Sequence, residues 1–87
     1  MYENILSLDE LDNYGNPKLT YHFTNSKTGW EWWVCAGEQL ENSDYYFFGV
    51  AKIFEKEIGF FCLTEILNSG AELDTEWEDD IGLYDIL

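Results

Sequence analysis

The chain has 87 residues, with 18 Asp and Glu against 4 Lys and no Arg, for a formal net charge of −14. That length holds one hydrophobic core and excludes a second. The excess of acids and the lack of Arg forks exclude direct binding of nucleic-acid phosphates. Aromatic residues at 18% and hydrophobic residues at 46% exclude an acidic disordered tail and predict a folded domain.

Ile5, Leu6, Leu8 and Leu11 open the chain, and Ser7 followed by Glu10 is a capping-box pattern that predicts a short helix. Asn13, Gly15, Asn16 and Pro17 end it. Leu19, Tyr21 and Phe23 then alternate with Thr20, His22 and Thr24, the period of a half-buried strand. Asn25 to Thr28 is turn-like, and Trp30, Trp32, Val34 and Ala36 share one face of a second strand. Setting Thr24 opposite Gly29 predicts a hairpin in which Phe23 faces Trp30, Tyr21 faces Trp32 and Leu19 faces Val34.

Gly37 to Asp44 reads as a polar loop and Tyr45 to Ile53 as a third strand. Glu55, Lys56 and Glu57 mark a charged turn before a fourth strand, Ile58 to Cys62. Pairing Ile53 with Ile58 sets Ala51 against Phe60 and Val50 against Phe61. Thr64 to Ser69 reads as a short helix carrying Ile66 and Leu67, ended by Gly70. The expected fold class is α+β: a small antiparallel sheet of about four strands with short flanking helices.

Charge divides this single domain of residues 1–87. Glu3, Asp9, Glu10 and Asp12 give residues 1–17 a charge of −4. Residues 18–71 hold all four lysines and 12 of the 16 aromatic residues, and form the expected core. The C-terminal segment 72–87 carries Glu72, Asp74, Glu76, Glu78, Asp79, Asp80 and Asp85 without a base, half of the net charge. Trp33, Tyr46, Phe48 and Val50 fall on the sheet face opposite the main apolar stripe. Either the terminal segments cover that face or it is an aromatic patch for a partner.

No catalytic constellation is found. His22, the single histidine, reads as a surface residue with no nucleophile motif beside it. One histidine with Cys35 and Cys62 does not supply a zinc set, and aligning Gly15 with the glycine of an EF-hand loop leaves Tyr21 where the bidentate Glu belongs. No metal or cofactor is expected, nor enzyme activity. The cysteines read as reduced core thiols of a cytoplasmic protein, able to pair only if their strands are neighbours. No apolar run approaches the roughly 20 residues of a membrane span, and no basic stretch precedes a hydrophobic one, so a soluble, unprocessed chain is expected.

The runs Trp30-Glu31-Trp32-Trp33-Val34, Tyr45-Tyr46-Phe47-Phe48-Gly49-Val50 and Phe54 to Ile66 together resemble the family catalogued as domain of unknown function 2958. The likeness spans roughly residues 19 to 85. It implies a small single domain carried by bacterial plasmids, integrative elements and phages, and it supplies no catalytic residues. The chain departs from the pattern at Cys62, where a helix-capping Ser is usual, and in its more acidic ends.

Small acidic proteins of mobile elements include inhibitors of bacterial nucleases, so the expected function is a non-enzymatic inhibitor, anti-CRISPR or anti-restriction, acting as a DNA mimic. Duplex DNA carries one charge per about 1.7 Å, so fourteen charges match roughly 24 Å of helix. The expected partner surface is Glu72, Asp74, Glu76, Glu78, Asp79 and Asp80, set against the basic surface of a host nuclease. The competing readings are a solvated acidic surface that aids solubility, and an interaction module that binds a protein or its own copy through Trp33, Tyr46 and Phe48.

Overall fold

In the computed structural model, Tyr2 and residues 4–87 are described. Glu3, counted above among the acids, lies outside the described residues. Among the described residues, five strands form one antiparallel sheet: β1 (Tyr21–Thr24), β2 (Glu31–Gln39), β3 (Tyr45–Lys52), β4 (Lys56–Cys62) and β5 (Glu72–Leu73), in the order β4-β3-β2-β1-β5. One α-helix, α1 (Leu63–Asn68), follows β4, and 3₁₀ turns occupy Leu11–Asn13 and Leu83–Asp85. The α+β reading holds in its coarse form. The fifth strand comes from the acidic segment, where Leu73 pairs with Phe23 and Glu72 with Thr24.

The Ser7 and Glu10 pattern forms its reciprocal bonds, Glu10 N–H to Ser7 Oγ at 3.2 Å and Ser7 N–H to Glu10 Oε1 at 3.1 Å. It starts a 3₁₀ turn rather than an α-helix, because Asn13 and Gly15 stop propagation within a turn. Gly70 ends α1 with φ +94°, a conformation that suits a residue lacking Cβ. Ile66 is fully buried beneath the helix, whereas Leu67 is exposed.

Both hairpin registers differ from the expected ones. β1 and β2 pair Tyr21 with Val34, Phe23 with Trp32 and Thr24 with Glu31, a shift of two residues that keeps these paired side chains on their expected faces, whereas Leu19, which precedes β1, is buried on the opposite face from Phe23. The turn causes the shift. Asn25 N–H bonds Trp30 O at 2.9 Å, Asn25 Oδ1 accepts from the amides of Lys27 and Thr28, and Gly29 takes φ +77°, so the strands close at Asn25 and Trp30.

β3 and β4 pair Val50 with Ile58, Phe48 with Phe60 and Phe47 with Phe61, a shift of three that turns β4 over. This register packs Phe61 against buried Phe47 and leaves Ile53 to Glu55 as a three-residue turn with Phe54 exposed at its tip. A register shift between Val34 and Ala36 marks a bulge in β2, which carries Ala36 to the opposite face from Val34.

The single core expected from the chain length is instead two clusters, because the sheet runs between them and buries apolar residues on both faces. Phe23, Trp32, Val34, Phe47 and Phe61 line one face beneath α1 and Tyr2. Leu19, Trp33, Cys35, Ala36, Val50 and Leu83 line the other, packed against Leu6, Leu8, Leu11, Trp77, Ile81 and Ile86 from the two ends of the chain. The hydrophobic core thus extends beyond residues 18–71. Full burial of Phe23 and Phe47 contributes about 1.5–3 kcal/mol each. The thiols Cys35 and Cys62 are free, because β3 separates their strands by about 10 Å, beyond disulfide reach. Burial pushes the Cys35 thiol up to about 11.

Candidate functional site

The acidic segment is anchored at both ends. Leu73 pairs on the sheet edge, and the indole of Trp77 packs into the second core and donates from Nε1 to Leu19 O at 2.8 Å. Beyond the acids, Leu19 N–H bonds Ile81 O at 3.0 Å and Leu83 N–H bonds Pro17 O at 2.8 Å. Glu76, Glu78, Asp79 and Asp80 are therefore displayed on a short segment held between Trp77 and Ile81 or next to it, and all four are exposed.

The other two expected contact residues behave differently. Glu72 is exposed on β5, the edge strand. Asp74 is half-buried and engaged inside the molecule: His22 Nδ1–H donates to its Oδ2 at 2.8 Å, and Glu76 N–H donates to its Oδ1 at 3.1 Å. These bonds, that of His22 first, hold the Asp74 carboxyl below the usual carboxylate range. Asp74 is thus the least available of the six acids for an external partner.

His22 is not the surface residue that the sequence suggests; its side chain is only 13% exposed. Its ring stacks on Trp33 at 5.1 Å and 13°, and Trp77 lies tilted 5.0 Å away. Glu31 Oε2 stands 3.4 Å from Nε2, so carboxylates from β2 and from the acidic segment address opposite ring nitrogens. Opposed in this way, they do not converge on a common point, and no group of three metal-ligating side chains is found among the described residues.

Trp33 is 4% exposed, which removes it from the expected second interface. Its indole Nε1 is buried with no partner among the described residues, and its stacking on His22 offsets part of that cost of about 1–3 kcal/mol. The terminal segments cover the middle of this face, as one of the two sequence readings held. Phe48 is half-buried, and Tyr46, on the same strand β3, is 37% exposed.

Sequence reasoning missed the roles of His22, Glu31 and Trp77. One signal was present: Leu73, Trp77 and Ile81 interrupt the acidic run every four residues, and apolar residues within a charged run mark where it must touch the fold. Among the described residues no helix is long and apolar enough to cross a membrane. No family model, curated protein or solved structure matches the chain.

Proposed function

We propose that this protein is a non-enzymatic acidic inhibitor of a mobile element, which occupies the basic nucleic-acid-binding surface of a bacterial defence nuclease in the host cytoplasm. One observation carries the reading. Glu76, Glu78, Asp79 and Asp80 are exposed on an anchored segment, and among the described residues no lysine forms an ion pair with any of them. Their field is not neutralised locally, and anchoring lowers the entropy lost when a partner docks. The molecular dimensions of 36 × 32 × 22 Å are also compatible with a groove that accepts roughly 24 Å of duplex.

The test is binding to candidate nucleases, with protection of DNA from cleavage, at low and high salt. Wild-type binding should weaken steeply as salt rises. Replacing Glu76 and Glu78 with Gln and Asp79 and Asp80 with Asn should weaken inhibition at least about tenfold and lower the salt dependence, with circular dichroism unchanged. Undiminished inhibition by this variant would reject the proposal.

A further inference from the structure

The two edges of the sheet differ. β5 is two residues long and acidic, which blunts it, whereas β4 runs seven residues without proline and carries charge only at Lys56 and Glu57. We propose that the free edge of β4 pairs antiparallel with β4 of a second copy about a two-fold axis through Gly59, joining two five-stranded sheets into one. This is independent of the acidic-face reading.

Hydrogen bonding along the sheet favours this register. Asn25 N–H bonds Trp30 O on β2's side, and Asp74 N–H bonds His22 O on β5's side. Ladder bonds alternate residue by residue, so Trp32 faces β1, Trp33 and Val50 face each other, and Gly49 faces Gly59. The same alternation turns the backbone groups of Ile58 and Phe60 toward the free edge. Two-fold pairing about Gly59 sets Ile58 of each copy opposite Phe60 of the other, with four new ladder bonds, and brings the two Gly59 residues together at a non-hydrogen-bonded position, where Cα atoms approach to about 4.5 Å.

Three further features fit a second copy. Gly59 has no role within one chain: its φ is not positive, and a Cβ there would meet nothing within 4 Å. Close approach of another backbone gives the glycine a purpose. Ile58 at 40% and Phe60 at 54% exposure share a face with Tyr46, whose ring stacks on Phe60 at 5.1 Å and 8°, so the pairing joins two apolar strips. Lys52 and Lys56 balance Glu55 and Glu57, giving residues 45–62 zero net charge in a chain of −14. Two such anionic chains can approach with least repulsion across that neutral edge.

Sedimentation velocity over a range of concentrations tests the proposal, with hydrogen exchange at Ile58 and Phe60. The expected result is a monomer–dimer equilibrium that tightens as salt rises, the opposite of the trend for acidic-face docking, with slower exchange of both amides at high concentration. Phe60→Glu should raise the dissociation constant at least about tenfold with unchanged circular dichroism. Gly59→Cys in a Cys62→Ser background should form a covalent dimer with oxidised glutathione, since the two-fold pair lies within disulfide reach. A chain that stays monomeric and gives no covalent dimer overturns the proposal. So does a dimer indifferent to Phe60→Glu, with both amides unprotected.

Discussion

Replacing His22 with Ala removes two carboxylate contacts and a ring packed between Trp33 and Trp77, and should cost about 2–3 kcal/mol, read from the urea midpoint. The same variant should alter the acid limb of the stability profile. The folded-state pKa of Asp74 is lowered from 3.8 by its bond from His22, so this stabilisation is complete above pH 3.8 and is lost as pH falls through the folded value. Without the ring, stability should fall less steeply below pH 3.8. Asp44, bonded by Thr64, and Glu10, bonded by Ser7, are lowered as well and keep part of the slope. An unchanged midpoint together with an unchanged acid limb would show that the ring contributes nothing to the fold. His22 could be placed on the second face from its alternation with Tyr21 and Phe23. Its partners could not, because Asp74 lies 52 positions away and reaches it only when β5 docks.

At the scale of elements, the two glycines that face each other across β3 and β4 have different burdens. A Cβ on Gly49 would lie 1.9 Å from Trp33 O, so Gly49→Ala must push β2 away from β3 near the bulge. It should cost at least about 3 kcal/mol, whereas Gly59→Ala, measured in dilute monomer, should cost less than about 1 kcal/mol. Denaturation midpoints of the two variants check this, and equal losses would contradict the close approach. The strands themselves were legible from period-two alternation and aromatic density, which are local properties. Register was not. The first hairpin slid by two because Asn25 and Gly29 build a turn whose bonds outweigh the simpler pairing of Thr24 with Gly29. The second slid by three because β4 is apolar on both faces, with Ile58 and Phe60 on one and Phe61 on the other, so its pattern does not select a side.

For the whole molecule, the net charge of −14 means that the folded state confines mutually repelling carboxylates, and among the described residues no lysine pairs with a carboxylate. Thermal stability of the dilute protein should therefore rise with sodium chloride, by about 5 °C between low and high salt, followed by circular dichroism. A midpoint insensitive to salt would show that repulsion is already relieved. Composition and charge alone determined that this chain folds and presents an acidic surface, because both follow from counts that no folding step changes. Alternation determined which residues within β1 share a sheet face, since neighbours along a strand point to opposite sides, but not the face of Ala36, which the β2 bulge reverses, nor the side taken by β4. Only the tertiary structure decided that the acidic segment supplies a fifth strand, that Trp77 and Ile81 anchor it over Trp33, and that Asp74 turns inward while Glu76, Glu78, Asp79 and Asp80 remain outside. Those outcomes depend on contacts between distant residues, whose energies exist only once the sheet has brought them together.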